Sequence, residues 1–196
     1  MADIRITGGS LKGKRFSILT KGPHRYTSGK VREAIFAMAG NIEHLNVLDL
    51  FAGAGTFSIE CLSRGATLVT SVESAHKMFD VLRRNIGTSG FEKTALLLNM
   101  DVSRAIPLLH KKHTLYDIIF MDPPYGKDLI LSTLKVIMEY PIHNNETLFI
   151  AEYSKQDSLC VGRLSGLGEN TVKKYGDTTI QLFTLPHRIM EGVHRG

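Results

Sequence analysis

Val47-Leu48-Asp49-Leu50-Phe51-Ala52-Gly53-Ala54-Gly55 is an apolar run that breaks on two glycines, and its reading decides the fold. A strand apolar at nearly every position has both faces covered, which is the habit of parallel sheets flanked by helices. Glycines directly after it turn the chain sharply into a helix that ends near Gly65. The alternation then repeats. Leu68–Val72 reads as a second strand, and Ser74 as the cap of a helix with Met78, Val81, Leu82 and Ile86 on one face, closed by Gly90. Strands follow at Ala95–Leu98, Tyr116–Met121 and Thr147–Ala151, separated by helix-like segments. Thr171–Tyr175 and Thr179–Thr184, around Gly176-Asp177, read as a closing antiparallel hairpin. The expected class is α/β, a Rossmann-like parallel sheet covered on both faces.

Toward the N-terminus the texture differs. Ile4 and Ile6 alternate with Arg5 and Thr7, and Phe16 and Ile18 with Arg15 and Ser17, so two short strands joined by a basic glycine loop are expected. Thr27 or Ser28 can cap a helix whose apolar face is Val31, Ala34, Ile35 and Met38. The chain therefore divides into a basic extension (1–40), an α/β body (41–186) and a polar tail (187–196) expected to fray.

Charge follows the same division. Residues 1–32 hold eight Lys or Arg against Asp3 alone, a net +7, which leaves −2 for the rest of a chain whose total is +5. A positive segment on a mildly acidic body suits a polyanion, and Arg5, Lys12, Lys14, Arg15, Arg25, Lys30 and Arg32 are the candidate phosphate contacts. A solvated basic hairpin without a partner would look the same in charge alone.

At 196 residues, 43% hydrophobic and 22% charged, the composition is that of an ordinary globular domain. Cys61 and Cys160 lie far apart in no metal-like spacing, so neither a disulfide framework nor a metal site is expected, and Cys61 reads as a small buried hydrophobe. Nothing resembles a signal peptide or a membrane span, and the expected location is the cytoplasm.

The chemistry concentrates at strand ends. Glycines after Asp49 let the backbone pass close to a ligand at the carboxyl edge of the sheet, and Glu73, 20 residues beyond Gly53, is placed to bind ribose hydroxyls. A tight turn in a protein blind to nucleotides would use the same glycines. The third glycine of a dinucleotide fingerprint would fall at Ser58, and the acid at Asp49 welcomes a cation, so S-adenosylmethionine is favoured over a dinucleotide. Asp101, after the third strand of the body, can accept from an adenine amine or simply cap the next helix. The candidate cofactor set is Asp49, Phe51, Ala52, Gly53, Gly55, Glu73 and Asp101.

Asp122-Pro123-Pro124-Tyr125 follows the strand ending at Met121. Two prolines hold an extended loop and remove two N–H donors, leaving carbonyls beside a carboxylate and a ring. Acceptors plus a stacking ring suit the exocyclic amine of a planar base, and Asp122, Pro123 and Tyr125 are the candidate catalytic residues. A turn capping the strand is the plainer alternative.

Asp49–Gly55, Glu73, Asp101 and Asp122–Tyr125 resemble the motifs of class I S-adenosylmethionine methyltransferases that act on amines. More narrowly, Arg5–Gly9, Lys12-Gly13-Lys14, Arg25-Tyr26-Thr27, Val31–Phe36 and Leu62–Ala66 resemble the RsmD-type family, which methylates N2 of a guanine in small-subunit ribosomal RNA. The family usually has Arg-Pro-Thr where this chain has Arg25-Tyr26-Thr27. The resemblance implies a seven-stranded sheet with its last strand antiparallel. It also implies ribosomal RNA as substrate, within or outside a small-subunit particle, and the sequence suggests a monomer. Adenine-N6 methylation of RNA or DNA, methylation of a protein glutamine amide, and a non-catalytic RNA-binding role are the rival readings.

Overall fold

The structure, a computed structural model, describes residues 2–19, 26–124, 129–154, 168 and 170–186. Arg25, Tyr125, Cys160 and the tail 187–196 lie outside the described residues.

The chain opens with the hairpin β1 (Ala2–Arg5) and β2 (Arg15–Ile18), antiparallel with Ile4 opposite Phe16. Helix α1 (Gly29–Ala39) follows, and of its two candidate caps it is Ser28 whose Oγ accepts the Val31 N–H at 3.3 Å. The body then alternates β3 (Asn46–Asp49), α2 (Thr56–Ser63), β4 (Leu68–Val72), α3 (His76–Ser89), β5 (Ala95–Leu98), α4 (Val102–Lys111), β6 (Ile118–Met121), α5 (Leu129–Glu139) and β7 (Leu148–Ser154). It closes with β8 (Asn170–Tyr175) and β9 (Thr178–Thr184).

One boundary signal misleads. Ser74 does not cap α3; the cap position is Ala75, in extended backbone, and its own N–H is held by Glu73 Oε1 at 2.7 Å. The acid at the strand end fixes the residue from which the helix starts, and no side chain caps the helix itself.

The seven strands of the body order as β5-β4-β3-β6-β7-β9-β8. β3 to β7 are parallel, and β9, last in the chain, runs antiparallel between β7 and β8. Successive residues serve opposite layers, as the period of two requires. Val47, Ile118, Phe120 and Ile150 join one core with α2 and α3, while Leu48, Ile119, Met121 and Phe149 join the other with α4 and α5.

The basic extension is built into the first of these cores. Ile6, Phe16, Val31, Ile35 and Phe36 are all buried there with body residues. Phe36 stacks on Phe57 at 5.3 Å, and Phe57 on Phe120 at 3.8 Å, so one aromatic column runs from α1 through α2 to the sheet. Gly9 sits at φ +73, and a Cβ there would lie 1.9 Å from the Ser63 carbonyl oxygen, which only glycine can avoid.

Arg32 corrects the charge reading. Its side chain is fully buried and paired to Glu60, Nε to Oε2 at 2.9 Å, so it is out of reach of any phosphate. Its other nitrogens donate to the carbonyls of Thr27 and Arg5, each at 2.6 Å. Arg64 donates to the second Glu60 oxygen at 2.9 Å, and both the hydroxyl and N–H of Thr7 donate to that same oxygen. The cation that sequence assigns to RNA is spent on fastening hairpin, α1 and α2 together.

Candidate active site

β3 is where strand order reverses, with β4 to one side and β6 to the other. The carboxyl ends of diverging strands leave a crevice at such a point. Here it is a cleft of about 580 Å³, and Asp49, Phe51, Ala52, Gly53, Glu73, Asp101, Asp122 and Pro123 all line it. Of the expected cofactor set only Gly55 is not in the wall; it caps α2 in the left-handed region, at φ +79, with Leu82 packed where a Cβ would stand.

Asp49 is the deepest acid. Ser58 Oγ donates to its Oδ2 at 2.6 Å, and Ser71 Oγ donates in turn to Ser58 at 2.8 Å. Ser58, which sequence reading used only to reject a dinucleotide, thus has a task of its own. The other oxygen, Oδ1, is buried, and the backbone N–H groups of Phe51 and Ser58 lie close enough to the carboxylate to favour its charged form. Burial, far more than any neighbour, pushes this carboxyl up to about 7, with the Glu73 charge adding to the effect. A carboxylate in the cleft wall, poised between its two protonation states, fits a ligand with a cationic end.

Glu73 holds the glycine turn against the start of α3. Its Oε2 accepts the Gly53 N–H at 2.9 Å and its Oε1 the Ala75 N–H. Each oxygen keeps a further lone pair for hydroxyls. Asp101 combines the two roles that sequence reading set against each other. It caps α4 by accepting the Ser103 N–H at 2.9 Å, and it lines the cleft. Hydrogen bonding to Ser103 holds its carboxyl below the usual range.

Asp122 and the prolines stand where β6 runs out into the cleft mouth. Asp122 is half-buried, Pro123 buried and Pro124 exposed. Tyr125 falls outside the described residues. Three groups that sequence reasoning missed complete this corner. Thr27, noted there as a possible helix cap and as part of the Arg25-Tyr26-Thr27 stretch but given no role at the site, donates to Glu152 Oε2 at 2.8 Å and lies 3.3 Å from Asp122 Oδ2. Glu152, buried on β7, had no signal at all. Tyr26 lines the cleft, and its hydroxyl closes on the Leu19 backbone, accepting the N–H and donating to the carbonyl at 3.0 Å each. Where the family usually has proline, this chain has a side chain that ties residue 26 to the Leu19 backbone.

The remaining RNA candidates sit together. Arg5, Lys12, Lys14 and Arg15 are exposed on the hairpin and Lys30 on α1. Lys14 Nζ donates to the Thr88 carbonyl at 2.8 Å and so bridges the hairpin to the end of α3.

A switch-point cleft with carboxylates at the ends of β3, β4 and β6 is the arrangement of the class I S-adenosylmethionine-dependent methyltransferases, and the Asp49 carboxylate in its wall fits that cofactor's charged end. Known proteins agree. Residues 4–184 match the family described as conserved hypothetical protein 95. Ribosomal RNA small subunit methyltransferase D of Escherichia coli K12 is 31% identical over 80% of this chain and 77% of its own. The protein of the same name from Buchnera aphidicola of Acyrthosiphon pisum is 34% identical over 78% and 80%. A solved Escherichia coli structure assigned as a methyltransferase, yhhF, superposes with a TM-score of 0.81 at 26% identity, over 95% of this chain and all of that one. The chain belongs to this family, the RsmD-type methyltransferases.

Proposed function

We propose that this S-adenosylmethionine-dependent rRNA methyltransferase modifies the N2 amine of a guanine in small-subunit ribosomal RNA. The observation that carries the reading is the Asp122-Pro123 corner at the mouth of a cleft whose wall includes Asp49, Glu73 and Asp101. Asp49 takes the ammonium of the methionine end, Glu73 the ribose hydroxyls and Asp101 the adenine amine, with Phe51, Ala52 and Gly53 as walls. S-adenosylmethionine supplies an electrophilic methyl group whose bond to sulfur breaks as the bond to nitrogen forms, the electron pair staying on sulfur. A base amine is a weak nucleophile because its lone pair is drawn into the ring. Asp122 and the Pro123 carbonyl accept its two hydrogens, which favours pyramidal nitrogen and frees the pair for in-line attack. Holding the reactants in that geometry is worth roughly 7–11 kcal/mol. Tyr125 supplies the stacking ring. The base must leave its stack to enter, and the hairpin cations hold the phosphates around it.

The reading is tested by incubating the protein with small-subunit rRNA, free or in particles, and identifying the methylated nucleoside by mass. N2-methylguanosine is expected. N6-methyladenosine would move the chemistry to adenine, and no methylated nucleoside with either substrate would overturn the reading. An rRNA substrate implies work in the cytoplasm, and the cleft needs no second copy, so the protein acts as a monomer. Among the described residues no helix is long and apolar enough to cross a membrane.

Asp49 gives cofactor binding a pH dependence of fixed sign. With its carboxyl raised to about 7 in the free protein, the group is protonated below that pH and must lose its proton to meet an ammonium. Affinity for S-adenosylmethionine should therefore rise with pH toward about 7, by up to about tenfold per unit. It should fall again near 8 as the ligand's own amine discharges. Calorimetry across this range checks it, and Asp49→Asn should abolish the rising limb. A rising limb kept by that variant would assign the proton to another group.

Lys12, Lys14 and Arg15 are expected to touch phosphate. Replacing all three with Ala should weaken RNA binding and lower the slope of log affinity against log salt by about 0.7–0.9 for each phosphate no longer neutralised. Cofactor affinity should hold. An unaltered slope would make the hairpin charge incidental.

A further inference from the structure

Methylation of an amine leaves a proton to dispose of. Once the new N–C bond has formed, the nitrogen is cationic and carries one hydrogen too many, and Asp122 is the carboxylate at hand. The proton's next resting place is written into the geometry around Thr27. A threonine hydroxyl has one hydrogen and two lone pairs. Here it stands between two carboxylates, 2.8 Å from Glu152 Oε2 and 3.3 Å from Asp122 Oδ2. One hydrogen cannot serve both, and the shorter contact gives it to Glu152. What the hydroxyl then turns to Asp122 is a lone pair. That is a poor neighbour for an ionised carboxylate and a good one for a protonated carboxyl, whose O–H would close the 3.3 Å gap.

We propose that Thr27 and Glu152 are positioning residues for the proton-accepting role of Asp122, forming a directed chain in which protonated Asp122 donates to Thr27 Oγ and Thr27 donates to Glu152. The assignment rests on the reading of Asp122 as the acceptor of the amine proton. The chain becomes complete only after methyl transfer, so it favours the state that the reaction produces over the one it starts from. No atom beyond the amine proton is exchanged: it leaves nitrogen, resides on Asp122, and is held there by the oriented hydroxyl.

The surroundings fix that orientation. Thr27 is buried, and its carbonyl is gripped by Arg32 at 2.6 Å, so its backbone cannot drift from the cleft. Glu152 is buried on β7, where it lies opposite Ile180 of β9. The other titratable groups lining the cleft are Tyr26, Asp49, Glu73 and Asp101, on the turn before α1, at the ends of β3 and β4, and at the start of α4. The bridge between the two carboxylates is the Thr27 hydroxyl.

The test separates this chain from a merely structural contact by its sign. Asp122 is titrated by carbon NMR in protein labelled at aspartate carboxyls, its resonance assigned with Asp122→Asn. Thr27→Val keeps shape and removes the hydroxyl. If Thr27 is an acceptor for protonated Asp122, the Asp122 midpoint should fall by about one unit in Thr27→Val, the size of one hydrogen bond. Single-turnover methyl transfer should slow about tenfold with KM for RNA and cofactor affinity unchanged. Thr27→Ser, which restores the hydroxyl, should recover both the midpoint and the rate, and Glu152→Gln should lower the midpoint as Thr27→Val does. A midpoint that rises in Thr27→Val means the hydroxyl serves as a donor to ionised Asp122, and the proposal falls. A midpoint and rate that do not move also overturn it. Should Thr27→Val unfold, Thr27→Ser against Glu152→Gln carries the same comparison. Failure of the parent reading is distinct: it would appear as wild-type methyl transfer by Asp122→Ala, whatever Thr27 variants do.

Discussion

Asp122→Ala should bind S-adenosylmethionine with near-native affinity and transfer methyl about 10²–10³ times more slowly in single turnovers with saturating RNA. The proposed cofactor anchors Asp49, Glu73 and Asp101 lie at the ends of β3 and β4 and at the start of α4, and they are held by Ser58, by the Gly53 N–H and by the Ser103 N–H. Losing one oriented acceptor at the reacting amine therefore leaves binding alone and raises only the barrier. The finer variant is Asp122→Asn, which keeps an acceptor oxygen but takes up no proton. Substantial activity there would mean that hydrogen bonding to the amine suffices, and near-complete loss would assign proton uptake to this side chain. Wild-type turnover by Asp122→Ala would reduce the Asp-Pro-Pro loop to the end of a strand, and the mechanism would go with it.

Glu60→Ala should cost about 3–5 kcal/mol of folding stability, because it strands the buried Arg32 guanidinium without its counter-charge. That is a large share of the roughly 5–15 kcal/mol that holds a domain together. The damage should also spread. Arg32 holds the carbonyls of Thr27 and Arg5, and Glu60 receives Thr7 and Arg64, so hairpin and cleft corner loosen together. Urea unfolding followed by far-UV dichroism reads the loss. Replacing both partners, Arg32→Met with Glu60→Leu, should recover much of it, since an apolar pair of similar volume leaves no charge buried. A loss below about 1 kcal/mol in Glu60→Ala would show that the charge network holds little.

Asp122 and Glu60 differ sharply in how far the sequence reveals them. Strands and their order of appearance were open to reading because parallel strands buried on both sides leave unbroken apolar runs, as at Val47–Phe51 and Tyr116–Met121. Asp49 and Asp122 were open too, since strand ends followed by glycine or proline announce the carboxyl edge of the sheet, and Glu73 by its spacing at the end of the next strand. The fate of a charged side chain was not. Arg32 looks like its basic neighbours until Glu60, 28 residues on, is brought beneath it. Thr27, before α1, and Glu152, on β7, are 125 residues apart in sequence and meet only in the fold. Ser74 failed for a local reason: the helix starts one residue later, with Ala75 at the cap position and its N–H held by the carboxylate of Glu73. Sequence periodicity reports what is buried, whereas pairing between distant polar groups leaves no period.

The position of β9 has a bearing on how the chain comes to be made. Synthesis delivers β3 to β7 first, and these five parallel strands can assemble while the remainder is still being translated. Until β9 emerges, the outer edge of β7 carries a row of unpaired backbone groups, a template for another chain. β8 offers no early cover, because it bonds to β9 and not to β7. The edge is shut only by the penultimate stretch of the polypeptide, and β7 is the strand that bears Glu152. A nascent or truncated chain ending before Thr178 would thus offer that edge of β7 to another chain, so that premature release yields material for aggregation or degradation.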